Sequence, residues 1–416
     1  MAEAVISRSK AQKRAQQRRF LIEGVAIAVI GIVLMMVMPM VLPEFRLKLL
    51  GRFLSLAIVA LGIDLIWGYT GLLSLGHGVF FALGGYSFAM YLTLQIPEGQ
   101  LPDFFTLYGV EELPFFWVPY YSFPLTLLLI VLVPTVVAGL LGYLVFRNRI
   151  KGVYFSILTQ AALIVFFNFF NGQQELINGT NGLKTDTTEF FGSVVSSPRM
   201  QWTFYQVTVV ALIVVYLLCR WLTSGRFGRL LVAIRDDENR VRFSGYNPTW
   251  FKLVVFSVSG GIAGVAGALY TVQSGIITPA FMEVPFSIEM VIWVAVGGRG
   301  TLVGPIIGAL LVRFAQTLLS ERFPEFWLFF QGALFLLVVT ALPKGLMGLG
   351  GLPWVQKLFN RPSTAPVIDS YPSLVDDPAV QHERSQFSDR PNPVPATTET
   401  PSHNSSEPDP SSDRHE

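Results

Sequence analysis

The sequence has little charge for its length. Only 14% of its 416 residues are charged, whereas soluble domains carry about 25%. So few charged side chains cannot cover a globular surface, and 52% of the residues are hydrophobic. The surface that lacks polar side chains must therefore face lipid, where a helix satisfies its own backbone hydrogen bonds. This composition predicts an all-α, polytopic transmembrane helix bundle.

The sequence is also poor in the residues and motifs of chemical sites. Cys219 is the only cysteine, which excludes intramolecular disulfides, and His77 is the only histidine outside the polar C-terminal region. A transition-metal site needs several such ligands together, and we predict none. Phosphate-loop, dinucleotide-binding and H-E-x-x-H motifs are absent. We expect no catalytic residues and no bound cofactor, and if the protein works with ATP, another polypeptide must bind it.

Apolar segments long enough to cross the hydrocarbon core of a bilayer, about 30 Å thick, recur along the chain. A shorter segment, 286–297, reaches only ~18 Å at the rise of an α-helix, which predicts a half-helix or part of a broken helix. The bundle is thus expected to have about nine or ten membrane segments. The longer segments are 20–42, 49–68, 71–94, 121–146, 152–171, 202–222, 251–273, 301–320 and 325–342.

Charge and composition divide the chain into three parts. Residues 1–19 form a basic leader, and the apolar run after it is long enough to be a first membrane helix rather than a signal peptide. Residues 20–356 form the transmembrane domain. Residues 357–416 are rich in Pro, Ser, Asp and Asn and have no periodic apolar pattern, which predicts a disordered cytoplasmic tail.

Basic loop residues predict the orientation of the bundle. Threading the chain from a cytoplasmic N-terminus puts the leader and the basic clusters at 147–151 and 226–252 in the cytoplasm. Arg46, Lys48 and Arg52 fall outside in this scheme, and we interpret them as side chains that snorkel from the start of a helix. The expected location is therefore a plasma membrane, crossed several times, with the N-terminus in the cytoplasm.

Polar groups inside the apolar segments are candidates for a solute pathway. The glycine-rich run from Gly68 to Tyr86 contains Ser74 and His77, and it fits either a close helix contact with a satisfied histidine or a polar lining. An acid at membrane depth is costly unless it is paired or faces water. The candidate pathway residues are Asp64, Ser74, His77, Asn178, Thr180, Asn181, Gln273 and Glu289.

Two of these candidates leave alternatives open. Alternating Asn and Gly at 178–183 suits either the mouth of a pathway or an ordinary turn. Glu289 and Arg299 carry opposite charges near the ends of the short segment. The two side chains either pair with each other or Arg299 lies in the glycine-rich turn that follows.

The segment 226–245 predicts a short amphipathic helix in a cytoplasmic loop. Its apolar residues have helical spacing, and Asp236 with Arg240 and Glu238 with Arg242 are spaced for ion pairs four residues apart. Gly245 is a residue that commonly ends helices. The pattern alone fits docking onto a soluble partner and a helix at the lipid headgroups equally well.

Together these segments resemble the permease subunits of bacterial ABC importers for branched-chain amino acids and related solutes. Residues 68–86 look like that family's "GyxGllSLGHxxFxxlGaY" signature, 178–183 resembles its "GGxnGl" loop, and 226–245 resembles its "GRxLxAIRxdE" segment. The resemblance covers residues 50 to 350. Within the family, "LGIDLIWGYTG" and "SIEMVIWVAVGGRGTLVG" look like the second permease subunit of the urea-transporting branch.

The resemblance implies a permease that translocates its solute by alternating access. Its implied partners are a second permease subunit, two cytoplasmic ATPase subunits and an extracytoplasmic solute-binding protein, with no nucleic acid. The amphipathic segment would then couple the permease to the ATPases through Arg229, Leu230, Leu231, Ile234, Arg235, Asp236 and Glu238. The expected solute is urea, and the alternative is a branched-chain or other small amino acid. An ion-coupled secondary transporter with Asp64 and Glu289 as ion sites is a further alternative.

Overall fold

A computed structural model describes residues 25, 27–97, 100–323, 326–341 and 345–348 of the chain. The predicted leader, 1–19, and the predicted tail, 357–416, lie outside the described residues. Those two predictions therefore stay predictions.

The described residues form helices with almost no sheet, as the composition predicts. The longer helices are α1 (Ile27–Val41), α2 (Glu44–Thr70), α3 (His77–Thr93), α4 (Phe123–Arg147), α5 (Val153–Gly172), α6 (Pro198–Ser224), α7 (Arg226–Asp236), α8 (Glu238–Phe243), α9 (Pro248–Ser274), α10 (Val284–Gly297), α11 (Val303–Arg322) and α12 (Trp327–Ala341). Single helical turns are Asp103–Leu107, Gln174–Ile177 and Gly345–Gly348, and 3₁₀ turns are Val118–Tyr121, Gly179–Asn181 and Pro279–Met282. The two-residue strands are β1 (Leu183–Lys184), β2 (Glu189–Phe190), β3 (Ser193–Val194) and β4 (Ile276–Ile277).

Each predicted apolar segment contains one of these helices, but more of them are short than expected. Among the described residues, six helices are long and apolar enough to cross a membrane, namely α2, α4, α5, α6, α9 and α11. Helices α3 and α10 have only 17 and 14 residues. The prediction of a short segment at 286–297 is confirmed by α10, and α3 is short as well.

Helices α2 and α9 form the centre of the bundle. In their most apolar windows, 83% and 72% of the residues are buried, against 28% in α4 and 17% in α5. Helix α9 packs against α2, α3 and α4. Since α4 and α5 are at least as apolar in sequence as α9, burial rather than composition distinguishes the central helices from those that face lipid or a partner.

Small residues allow α3 and α9 to approach each other closely. A Cβ atom on Gly84 would collide with the backbone of Gly264, and one on Gly267 would collide with the carbonyl of Phe81. Glycine at such contacts lets helix backbones touch, which is the main source of packing energy between helices in lipid. The small-residue spacing of α9 therefore serves its contact with α3.

A π-helical stretch, Val33–Val37, interrupts α1. A π-bulge leaves backbone carbonyls without their usual partners inside the helix. Here the Tyr205 hydroxyl donates to the carbonyl of Leu34 (2.8 Å), and the Gln206 amide donates to the carbonyl of Met35 (2.7 Å). Side chains of α6 thus stabilise the irregular part of α1.

The two ends of the bundle differ in charge. We call the end that carries residues 147–152, α7 and α8 the basic face.

At the opposite end, Arg52 donates from Nε to the carbonyl of Gln273 (2.9 Å) and from Nη2 to that of Ser274 (3.3 Å). The Arg52 charge therefore meets the free carbonyls and the negative dipole end of α9. This contact replaces the snorkelling interpretation for Arg52.

Substitution of Gly267 tests the close contact of α3 and α9. Gly267→Val should lower the free energy of unfolding by about 3 kcal/mol, because the side chain would overlap the backbone of Phe81. The measurement is thermal unfolding of the purified protein in detergent. Gly332→Val is the control, since a Cβ atom there has open space. Equal effects of the two substitutions would contradict the assigned contact.

Candidate functional site

Each of the two central helices is followed by a non-helical segment that returns to the middle of the bundle. Both α2 and α9 have 27 residues and end at a glycine in the left-handed region, Gly71 (φ 75°) and Gly275 (φ 83°). In each case a non-helical segment turns back into the bundle before a shorter helix, α3 or α10, begins. Helices that start at mid-depth in this way form the binding sites of many transporters.

The predicted span 71–94 is thus not one helix, because α3 begins only at His77. Side chains of α5 satisfy the backbone of the non-helical part. The Ser156 hydroxyl donates to the carbonyl of Leu73 (2.6 Å), and the Leu75 N–H donates to Thr159 Oγ1 (3.1 Å). Non-helical backbone at membrane depth is stable only where protein or trapped water pairs it.

The first turns of α3 and α10 meet. The Gly78 N–H donates to Ser287 Oγ at 3.2 Å, and Gly78 also lies against the carbonyl of Phe281. Ser287 is about 15 Å along α10 from the end of that helix, so the contact lies near mid-depth. We call His77, Gly78, Ser259 and Ser287 the junction. The junction brings together the two segments that interrupt the membrane helices.

Predicted candidates Ser74 and His77 belong to a chain of hydrogen bonds at the junction. Ser259 Oγ donates to the carbonyl of Gly62 (2.5 Å), so Ser259 accepts from His77 Nε2 (2.7 Å). His77 Nδ1 then accepts from Ser74 Oγ (3.0 Å). These directions assign the neutral Nε2–H tautomer to the imidazole.

Every polar side-chain atom in this series of hydrogen bonds has a partner, and Ser74 and His77 are both buried. The histidine therefore joins α2, α3 and α9 at mid-depth. Sequence reasoning did not select Ser259, Ser287 or Thr159 as site residues. Each is a small polar residue inside a membrane helix, and such residues are too common in membrane helices to mark a site.

Asp64 is fully buried and holds the turn between α10 and α11. Its Oδ1 accepts from the Gly300 N–H (2.5 Å) and its Oδ2 from the Leu302 N–H (3.1 Å). Leu302 has φ 58°, which is unusual for leucine. The carboxylate thus stabilises an irregular turn at the end of the bundle that carries the basic face.

Glu289 pairs with Arg313 of α11, and the suggested pair with Arg299 was wrong. Arg313 Nη1 donates to Glu289 Oε1 (2.9 Å) and to Gln316 Oε1 (2.5 Å). Arg299 instead lies in the turn after α10, with its guanidinium 5.6 Å from the centre of the Trp67 ring. Its side chain is thus in the glycine-rich turn, as the second alternative stated.

Gln273 lies apart from the junction, near the end of α9. It is buried, and its amide donates to Thr208 Oγ1 at 2.6 Å, whereas its Oε1 has no hydrogen-bond partner among the described residues. Gly51 lies directly against this amide. Gln273 therefore links α2, α6 and α9 at the end opposite the basic face.

The Asn178 loop is a structured turn next to a cleft. Asn178 ends a helical turn in the left-handed region, and its amide donates to the carbonyl of Gly182 (2.7 Å). The turn leads into β1, which pairs with β4 just after α9. Asn178 lines a cleft of about 990 Å³ at this end of the bundle, whereas Thr180 and Asn181 are exposed beside it.

The amphipathic segment forms two helices rather than one. Helix α7 ends at Asp236, and Asp237 begins α8 by accepting from the N–H groups of Asn239 and Arg240. Because Asp237 takes the capping position, Arg240 pairs with it (3.0 Å) and the predicted pair of Arg240 with Asp236 does not form. The pair of Glu238 with Arg242 is confirmed at 3.1 Å.

The predicted coupling residues point in two directions. Leu231 and Ile234 are buried against the bundle, Leu230 is half-buried, and Arg229, Arg235 and Asp236 are exposed. An open groove of about 600 Å³ lies between α7 and α8. Its lining residues are Leu230, Ala233, Asp236, Asp237, Arg240, Val241, Ser244 and Tyr246.

Two contacts connect this surface to the bundle. Arg235 Nη1 donates to the carbonyl of Gly68 at 2.8 Å, one turn beyond Asp64. Glu238 contacts Lys252 (2.6 Å) of α9 and Lys151 (3.2 Å) before α5, besides Arg242. A displacement of α7 or α8 would therefore be transmitted to α2, to α9 and to the turn that Asp64 holds.

The cations around Glu238 determine its protonation. Burial by itself opposes the charged carboxylate, but the hydrogen bonds and charges of Lys252 and Lys151 outweigh it and lower the pKa of Glu238. A carboxylate whose pKa is lower in the folded state stabilises that state above the unfolded pKa, about 4.5. This stabilisation is lost as the pH falls through the folded-state pKa.

Broken helices that meet at mid-depth, together with amphipathic helices held at one end, define a polytopic membrane permease. Residues 45–339 match the family described as the branched-chain amino acid transport system permease component. Because this match covers most of the chain, the protein belongs to that family of ABC-type permeases.

Relatives of the chain are transport permeases. The high-affinity branched-chain amino acid transport system permease protein LivM of Salmonella typhimurium is 28% identical over 314 residues, which cover 70% of this chain and 67% of that protein. The probable LivM of Methanocaldococcus jannaschii is 24% identical over 318 residues, covering 70% and 89%. The ribose import permease protein RbsC of Haemophilus influenzae is 24% identical over 318 residues, covering 73% and 86%. No solved structure matches the chain.

Asp64→Asn tests the role of the carboxylate in the turn. Asn retains an acceptor for Gly300 but turns an NH₂ group towards the Leu302 N–H, so one buried hydrogen bond is lost. We expect a loss of about 2 kcal/mol in the free energy of unfolding. Exposed Asp103→Asn is the control, and a change at Asp64 no larger than at Asp103 would contradict the assignment.

Glu238→Gln tests the ion cluster on the basic face. The variant leaves Lys252 largely buried without its anion, which should cost about 3 kcal/mol at neutral pH. Thermal unfolding of the wild type should also show a loss of stability below about pH 4.5 that is smaller in the variant. Exposed Glu112→Gln provides the control, and identical pH profiles for wild type and Glu238→Gln would refute the linkage.

Proposed function

We propose that this chain is a permease subunit of an ABC importer that carries branched-chain or similar small aliphatic amino acids across the plasma membrane. The observation that carries this proposal is the junction, where two interrupted helices meet at mid-depth through Gly78 and Ser287. The printed names of the LivM relatives support the solute class.

The start of α10 supports recognition of a carboxylate. The N-terminus of a helix has free N–H groups and the positive end of the helix dipole. At this N-terminus Val284 and Phe286 are half-buried, and the exposed Pro285 between them has no N–H group. In transporters with interrupted helices, such N-termini face anionic groups of the solute. An amino acid carries such a group, whereas urea is neutral.

The neighbouring face of α5 supports an aliphatic side chain in the solute. Helix α5 packs against Pro279–Met282 and α10. Its buried residues form a single stripe along the helix, namely Phe155, Thr159 and Leu163. Its exposed residues include Ile157 and Ile164, and among them lie half-buried Gln160 and exposed Asn168. Amide side chains are costly at lipid-facing positions. They suit instead a surface that meets the solute and a second permease subunit.

The basic face supports a cytoplasmic orientation and a partner ATPase. Excess Lys and Arg mark cytoplasmic ends of membrane helices, and the groove between α7 and α8 lies at this end. We propose that an ATPase subunit docks there, and that Arg235 and Glu238 transmit its movement to α2 and α9. A solute-binding protein would approach the opposite end, where the cleft beside Asn178 opens.

Urea is the second candidate solute. It is favoured by the two sequence segments that resemble the urea-transporting branch, 61–71 and 287–304. Within those segments Asp64 is bonded to backbone N–H groups and Glu289 to Arg313. Those bonds also weaken the hypothesis of an ion-coupled transporter, because both acids already have partners inside the chain.

Uptake of labelled leucine and labelled urea in cells with and without this chain tests the proposal. We expect leucine uptake to be lost without the chain and urea uptake to be unchanged, and the reverse result would establish the urea alternative. Uptake should be abolished by vanadate and should persist with an uncoupler. Uptake that is sensitive only to the uncoupler would exclude an ABC mechanism.

Gln160→Leu tests whether the α5 face contacts the solute. Loss of a hydrogen bond to a charged amino acid should raise the apparent KM for uptake by roughly tenfold and leave the maximal rate nearly unchanged. Ile164→Leu conserves volume on the same exposed face and should leave KM unchanged. An unaltered KM in Gln160→Leu would remove Gln160 from the pathway.

A further inference from the structure

A small pocket on the basic face has no role in the function described above. It has a volume of about 280 Å³ and lies where the end of α4, the turn before α5, the end of α8 and the start of α9 come together. Its lining residues are Tyr143, Arg147, Arg149, Arg242, Asn247, Thr249, Trp250 and Leu253.

The pocket carries unbalanced positive charge. Arg147 and Arg149 are exposed, and no acidic side chain of the described residues pairs with either of them. Arg147 is hydrogen-bonded to Tyr143, whose hydroxyl accepts from Nη1 at 2.6 Å. Arg242 pairs with Glu238, but that carboxylate also neutralises Lys151 and Lys252. The cluster therefore attracts an anion.

Helix α9 begins at the same pocket. The 27 residues of this helix start directly after Asn247, whose side chain accepts from the Thr249 N–H (3.1 Å). The Thr249 hydroxyl reaches the carbonyl of Phe146 at the end of α4 (3.5 Å). The positive end of the α9 dipole is thus held beside the arginines, and a helix N-terminus favours phosphate groups.

The position of the pocket indicates the headgroup level of a membrane. Two membrane-spanning helices, α4 and α9, end and begin here. Tyr143 and Trp250 are 39% and 58% exposed, and aromatic side chains of this kind concentrate at the membrane–water interface. Leu144 and Leu140, about one and two turns before the end of α4, are about 60% exposed and offer an apolar surface for acyl chains.

We propose that this pocket binds the phosphate headgroup of an anionic phospholipid, with the acyl chains along α4. Arg147 and Arg149 contact the phosphate, and Trp250 and Tyr143 lie at the level of the glycerol backbone. Basic pockets between membrane helices recognise anionic headgroups in this manner. Because Arg242 belongs to α8, the bound lipid also contacts the element that Glu238 holds against the bundle.

The experiment uses the full chain, purified with any subunits that accompany it and placed in nanodiscs of phosphatidylcholine with increasing phosphatidylglycerol. Native mass spectrometry counts the lipids that each protein retains. The test variant is the double substitution Arg147→Gln with Arg149→Gln, which leaves Arg242 and its ion pair intact. The control is Arg226→Gln with Arg229→Gln, which removes the same charge from exposed positions of α7 outside the pocket.

We expect the wild type to retain phosphatidylglycerol in preference to phosphatidylcholine. The test variant should lower that preference by about fivefold for each arginine removed, and the control variant should lower it much less. Equal losses in the two variants would overturn the proposal in favour of a diffuse surface charge. Binding of inorganic phosphate in pure phosphatidylcholine, lost in the test variant, would overturn the lipid assignment in favour of a soluble anion. Unchanged thermal unfolding in detergent shows that both variants are folded.

Discussion

A backbone N–H or C=O group at membrane depth must have a partner inside the protein, and the rest of this structure depends on that constraint. The breaks before α3 and α10 expose such groups in the middle of the bundle. Ser156 and Thr159 of α5 satisfy the backbone before α3, and the Ser287 hydroxyl of α10 accepts from the Gly78 N–H where α3 begins. The non-helical backbone is therefore stable inside the bundle because neighbouring helices supply hydrogen bonds to it.

Close packing makes these partners available. Glycines of α3 and α9 bring the two backbones into contact, which places His77 between Ser74 and Ser259. The imidazole then joins three helices without carrying a charge. Asp64 has a similar function near the basic face, where it holds the turn between α10 and α11. Polar groups inside this bundle thus position its irregular segments.

The basic face combines binding surfaces with mechanical links. Glu238 gathers three cations from different segments, and Arg235 bonds to the carbonyl of Gly68. A partner that moves α7 or α8 therefore acts directly on α2 and α9, the two central helices. The proposed lipid pocket lies beside this arrangement and shares Arg242 with it. A bound lipid and a docked ATPase subunit would then both act on α8.

By itself the sequence determined the membrane class, the ten apolar segments and the ion pair of Glu238 with Arg242, because each depends on composition or on spacing within one segment. The tertiary structure decided where helices break and which distant groups meet. Arg313 rather than Arg299 became the partner of Glu289, and Arg52 became a cap for α9. It also made Asp237 divide one predicted helix into two. Contacts between helices far apart in the chain have no spacing rule, so only packing of the bundle determined them.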